Sequence, residues 1–184
     1  MAKILKTLLL VFAAYLLQVC VMPYLSISGI TANVLIAVIS VITVAYGRLF
    51  TFGAGAVAGI LMETMNASIM LIKLVIYPVG ALFASLFFAD KSERRLEQER
   101  SLGKKAKNLP PHLRTLLCAV VNIAVYEIVH LVYIYLTGVS IGPVNISRSM
   151  VNVLYTGFVT LVVMVPVRKF LGMYRRPARR IKTL

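Results

Sequence analysis

The chain has 184 residues, of which 60% are hydrophobic, and its 20 Lys and Arg residues outnumber its 6 Asp and Glu residues to give a net charge of +14. This composition excludes a water-soluble domain, because no polar stretch is long enough to fold around a core of its own. It also excludes nucleic acid as a partner, since no aromatic residues are interleaved with the basic ones in a fold able to stack bases.

Six apolar runs predict an all-α integral membrane protein, a six-helix transmembrane bundle that forms one domain. The runs cover about residues 4–22, 32–46, 49–62, 68–89, 115–137 and 148–167. An apolar helix needs about 20 residues to cross the hydrocarbon core, so four runs are long enough and the second and third are short. For these two we predict a tight hairpin at Gly47 and Arg48, and a re-entrant loop is the alternative.

The basic residues predict which side of the membrane each loop occupies. If the N-terminus lies inside, the loop 90–114 and the basic tail, residues 168–184, are cytoplasmic as well. Of the 20 Lys and Arg residues, only Lys73 and Arg148 then fall elsewhere, as the positive-inside rule requires. Both termini are therefore predicted to be cytoplasmic.

Two polar segments lie on that predicted inner side. The loop 90–114 is either a solvated connector or a docking helix for a cytoplasmic partner. The basic tail interleaves charge with apolar residues, a pattern suited to an anionic lipid surface. Its predicted lipid contacts are Arg168, Lys169, Arg175, Arg176, Arg179 and Arg180.

Small residues dominate the third run, where Gly55 and Gly59 are spaced to lie on one helix face. Such a strip lets another backbone approach closely inside a membrane. The neighbour is either another helix of this chain or the helix of a partner protein.

Four ionisable residues fall in or beside the apolar runs: Glu63, Lys73, Glu127 and His130. Charges at that depth are costly and are candidates for function. Glu63 and Lys73 either form an ion pair across a short turn or remain separately solvated. Glu127 and His130, three residues apart on one helix face, form either a structural hydrogen-bonded pair or part of a proton relay.

Motifs of catalysis are absent from the sequence. It contains no G-x-x-x-x-G-K-[ST], H-E-x-x-H or G-x-S-x-G segment, and its two cysteines, Cys20 and Cys118, have no metal-ligand spacing. We therefore predict a protein that is not an enzyme and that binds no cofactor or metal.

The order and spacing of several short motifs resemble the bacterial rod-shape-determining protein MreD family over about 170 residues. This chain has Ala32 where the family usually has proline, and Glu63 where aspartate is usual. The matching residues are Leu17-Gln18, Pro23-Tyr24-Leu25, Gly29 to Leu35, Gly47, Gly59 to Glu63, Tyr77-Pro78-x-Gly80, Asn152 and Pro166-Val167-Arg168.

This resemblance implies a non-enzymatic scaffold of cell-wall elongation in the bacterial cytoplasmic membrane. It implies an MreC-like single-span partner, together with an MreB-type filament and a wall polymerase and transpeptidase, while self-association is left open. It also implies a fold similar to the substrate-binding subunits of energy-coupling-factor vitamin transporters. That fold supplies an alternative function, capture of a small ligand by an outer cluster of Tyr24, Glu63, Asn66, Lys73 and Asn145.

Overall fold

A computed structural model of the protein describes residues 2–64, 72–88 and 110–172, and these residues are almost entirely helical. A short 3₁₀ helix, Met22–Leu25, follows the first helix. Most of the predicted loop 90–114 and the basic tail beyond Gly172 lie outside the described residues. The helices are α1 (Ala2–Cys20), α2 (Val34–Tyr46), α3 (Arg48–Thr64), α4 (Ile72–Phe88), α5 (Pro111–Leu136) and α6 (Pro143–Leu171).

Three helices, α1, α5 and α6, are long and apolar enough to cross a membrane, while α2 and α4 are shorter apolar helices. This fits a membrane protein. The sequence predicted four such helices, but the described part of α4 has 17 residues, and the predicted segment before Ile72 lies outside the described residues. Helix α6 begins at Pro143, several residues before its predicted start, because proline is well suited to the first position of a helix.

Helix α2 is the centre of the bundle. Every residue from Val34 to Val44 is buried, and the other five helices all pack against α2. A helix that is apolar on all sides belongs in the middle of a structure, since it has no polar face to turn outward. The other helices surround α2 in the order α1, α3, α4, α5 and α6, and each contacts the next one in this order.

The hairpin between α2 and α3 turns at one residue. Gly47 has a φ of 81°, in the left-handed region that favours glycine, and its N–H bonds to the carbonyl of Thr43. Arg48 opens α3 on the exposed surface, and its Nη2 donates to the carbonyl of Leu86 at 3.4 Å.

Side-chain contacts bring several basic residues to the same end of the bundle, which we call the Arg48 end. There the ammonium of Lys3 lies 5.7 Å from the centre of the Tyr46 ring, and that of Lys6 lies 5.9 Å from the centre of the Phe170 ring. The opposite end, called the Arg148 end, holds the loop 26–33 and the start of α6.

The small-residue strip of α3 packs against the chain's own α4. A Cβ added at Gly55 would lie 2.9 Å from Cα of Pro78, and one added at Gly59 would lie 2.9 Å from the carbonyl oxygen of Lys73. Backbone therefore meets backbone at both positions. Gly53 differs, because no atom of the described residues would lie within 4 Å of its Cβ.

Candidate functional site

The buried start of α2 is satisfied by side chains from three helices. Asn33 caps the helix by accepting from the N–H of Ile36 at 3.1 Å. Gln18 of α1 accepts from the N–H of Val34 at 2.7 Å, and Thr156 of α6 accepts from the N–H of Asn33 at 3.0 Å. The first N–H groups of a helix have no partner within it. Asn33, Val34 and Ile36 are buried, so these side chains supply the hydrogen bonds that the helix and water do not.

The same hydroxyl continues a run of hydrogen bonds toward a buried carboxylate. Thr156 donates to Oδ1 of Asn152 at 3.3 Å, and Nδ2 of Asn152 donates to Oε1 of Glu127 at 2.6 Å. On the other side, Nδ2 of Asn33 donates to the hydroxyl of Tyr77 at 2.8 Å. We call these five residues the polar network; it joins α2, α4, α5 and α6.

Glu127 and Asn152 line a cavity of about 330 Å³ between α5, α6 and the loop that precedes α2. Cavities of this size hold small ligands. His130 lines the cavity and stacks on the ring of Tyr126, with the ring centres 6.2 Å apart. The polar residues of the lining are Thr31, Glu127, His130, Asn145, Arg148, Ser149 and Asn152.

A tight turn forms one wall of the cavity. Ile27 and Ile30 exchange two backbone hydrogen bonds, and the residues between them, Ser28 and Gly29, both have positive φ, of 52° and 74°. Positive φ at both central positions is the mark of a type I′ turn. Arg148 lies beside it, with Nη2 only 3.7 Å from where a Cβ of Gly29 would be.

The predicted pair of Glu127 and His130 does share this cavity, but the two side chains have different partners. Glu127 is held by Asn152 and His130 by stacking, so the hydrogen-bonded pair predicted between them is replaced by contacts to other residues. The three-residue spacing indicated a common face. Tyr126 is a local neighbour of His130 in α5, whereas Asn152 comes from α6 and could not be predicted from the spacing.

Glu63 and Lys73 meet through the backbone. Oε2 of the Glu63 carboxylate accepts from the N–H of Lys73 at 3.2 Å. Lys73 is the second residue of α4, so the carboxylate of α3 satisfies a free N–H at the start of the next helix and also faces the positive end of its dipole.

Arg168 corrects the predicted set of lipid contacts. Its side chain is only 2% exposed, and Nη1 lies 3.0 Å from Nδ1 of His112 in the first turn of α5. Because a guanidinium only donates, the ring nitrogen must accept, which joins α5 to α6 at the Arg48 end. Lys169, next in sequence, is exposed, and its contact with lipid stays a prediction. The predicted contacts at Arg175, Arg176, Arg179 and Arg180 lie outside the described residues.

The outer cluster predicted for a small ligand is not assembled. Asn145 lines the cavity, but Glu63 and Lys73 lie at the α3–α4 contact and are not part of its lining. Tyr24 is 88% exposed. Asn66 lies outside the described residues. The residues of the cavity come instead from α5, α6 and the loop before α2, whose proximity the sequence did not reveal.

Comparison with known proteins does not assign the chain to a family. No protein-family model, no curated protein and no solved structure matches it. Within residues 2–64, 72–88 and 110–172, no group of three or more His, Cys, Asp and Glu side chains is arranged to hold a metal ion. The polar network and its cavity are therefore the candidate site.

Sequence reasoning missed Thr156 and the role of Asn33, Tyr77 and Asn152. Each of these residues is uncharged, so the search for ionisable groups passed over them. A signal was present, because Asn33, Tyr77 and Asn152 belong to the motifs that resemble the MreD family.

Proposed function

We propose that this protein is a non-enzymatic scaffold of cell-wall elongation, similar to MreD, that holds an MreC-like single-span protein in the bacterial cytoplasmic membrane. In this proposal both termini are cytoplasmic, and the six helices adopt a fold similar to the substrate-binding subunits of energy-coupling-factor transporters. An MreB-type filament and a wall polymerase and transpeptidase are the further partners.

One observation supports the proposal: four of the residues on which the resemblance rests lie together around the start of α2. Gln18 and Asn33 cap the central helix, and Tyr77 and Asn152 belong to the same polar network. Gln18 and Asn152 are more than a hundred residues apart in the chain. Motifs made of common residues gain weight when they form one hydrogen-bonded framework, because chance matches would be scattered over the bundle.

The same framework suits a scaffold physically. Its hydrogen bonds join four helices through mostly buried side chains, and networks of this kind stabilise one arrangement of helices over others. A fixed arrangement presents a constant surface to a partner helix.

A second candidate function is capture of a small solute for an energy-coupling-factor transporter. The cavity of about 330 Å³ favours it, since the cavity is lined by polar side chains of both charge signs. This function requires a bound metabolite, whereas the scaffold requires a bound membrane protein.

Depletion of the protein in its own host distinguishes the two. The scaffold predicts that rod-shaped cells become round while vitamin uptake is unchanged. Loss of uptake of one vitamin with normal cell shape would refute the scaffold and support solute capture.

A further inference from the structure

The carboxylate of Glu127 is the end point of a directional run of hydrogen bonds. The N–H of Asn33 donates to Thr156, Thr156 donates to Asn152, and Asn152 donates to Glu127. Every donor in this run points toward the carboxylate, whose oxygen Oε1 is the final acceptor. Nδ2 of Asn152 lies 2.6 Å from Oε1 of Glu127.

The Glu127 carboxylate is buried and forms no ion pair within the described part of the chain. Glu127 is only 7% exposed, and no described Lys, Arg or His forms an ion pair with it. A buried charge without a counter-charge is costly inside a membrane protein. A ligand that brings a positive group into the cavity would remove that cost.

A positive charge lies one helical turn away, at the other side of the cavity. Arg148 and Asn152 are four residues apart on α6, so they share a face and differ in height by about 6 Å. Both line the cavity with Glu127. The start of α6 at Pro143 adds the positive end of a helix dipole near Arg148. An anionic group is therefore favoured at Arg148 and a cationic one at Glu127.

We propose that this cavity binds a phosphoethanolamine group, with its ammonium donating to Glu127 and its phosphate facing Arg148. The two charges of an α-amino acid share one carbon and are closer together, whereas the two-carbon spacer of ethanolamine suits a separation of about one turn. This inference does not depend on the scaffold function.

The group has two sources, a phosphatidylethanolamine lipid and free phosphoethanolamine. The surface around the cavity favours the lipid. Beside it, α5 and α6 expose apolar side chains on the outside of the bundle, where acyl chains can lie. These side chains include Ile128 on α5, three residues before Leu131 of the lining, and Val151 on α6.

Native mass spectrometry of the purified full chain in detergent tests the proposal. The probes are phosphatidylethanolamine, phosphatidylcholine and phosphatidylglycerol with identical acyl chains. Phosphatidylcholine has the same charges but no N–H to donate, and phosphatidylglycerol has no cation. We expect phosphatidylethanolamine to bind about tenfold more tightly than either, because a hydrogen bond to a charged group contributes about that factor.

Three variants locate the site. Glu127→Gln keeps the shape and removes the charge, and Arg148→Gln removes the exposed cation; each should abolish the preference for phosphatidylethanolamine. Arg48→Gln removes an exposed cation at the opposite end and should leave the preference unchanged. If Glu127→Gln does not fold, the comparison of the three lipids and the Arg148→Gln variant still test whether the cavity is the binding site.

A competition arm separates the two sources. If free phosphoethanolamine displaces the bound lipid, the soluble compound is also a ligand; if it does not, the lipid is the ligand, and either result supports the site. Equal binding of the three lipids, or a preference that survives both Glu127→Gln and Arg148→Gln, would overturn the proposal.

Discussion

Replacing Gly55 with alanine should destabilise the protein, whereas the same change at Gly53 should not. At Gly55 the new Cβ would lie 2.9 Å from Cα of Pro78 and 3.1 Å from the carbonyl oxygen of Tyr77. Both are backbone atoms, so relief requires α3 and α4 to move apart. Overpacking of this kind costs about 1 to 3 kcal/mol.

Alanine also stabilises a helix relative to glycine, by about 0.5 to 1 kcal/mol. At Gly53 we expect only this gain and no overpacking, because no atom of the described residues would lie within 4 Å of the new Cβ. The gain is common to both variants and cancels in their comparison. Gly55→Ala should therefore be less stable than Gly53→Ala by about 1 to 3 kcal/mol.

The assay is unfolding of the purified protein in mixed micelles by titration with sodium dodecyl sulfate, followed by circular dichroism. Gly59→Ala is a second test, since its Cβ would lie 2.9 Å from the carbonyl oxygen of Lys73. Equal stability of Gly55→Ala and Gly53→Ala would refute the close contact between α3 and α4.

Three further predictions concern the network, the topology and the tail. Asn152→Ala removes the donor to Glu127 and should lower the free energy of unfolding by about 1 to 3 kcal/mol in the same titration, while Ser149→Ala, one turn away, should have little effect. A reporter that is active only in the cytoplasm should be active when it is fused after residue 102 or residue 184. Activity of a periplasmic reporter at either position would disprove the predicted topology. A peptide of the basic tail should bind anionic vesicles and dissociate as salt rises, because exposed charges are screened over about 8 Å at physiological ionic strength; equal binding to neutral vesicles would contradict the electrostatic explanation.

The sequence predicted the class of fold because apolar length and helix periodicity act locally. It did not predict that α2 lies at the centre of the bundle. With 13 residues, α2 is among the shortest helices, and its length gave no sign of that position. Apolar residues cover both lipid-facing and protein-facing helices in a membrane protein, so hydrophobicity alone does not distinguish the two environments. The capping of α2 by Gln18, Asn33 and Thr156 depends on residues from distant parts of the chain.

The candidate site was predicted only in part. Glu127 and His130 stood out because ionisable residues are rare in apolar helices. The contact of His130 with Tyr126 is local, between residues four apart in α5, whereas Asn152 reaches Glu127 only through the packing of α5 and α6 and could not be predicted. Arg168 was assigned to the lipid surface from the charge pattern around it, but contact with His112 across two helices decides where its side chain lies.

The composition of the complex purified from host membranes after mild solubilisation tests the scaffold function most directly. The tagged full chain should be recovered with an MreC-like single-span protein in equimolar amount. Recovery instead with an ATPase and a coupling subunit of an uptake transporter, and without the single-span protein, would contradict the scaffold function.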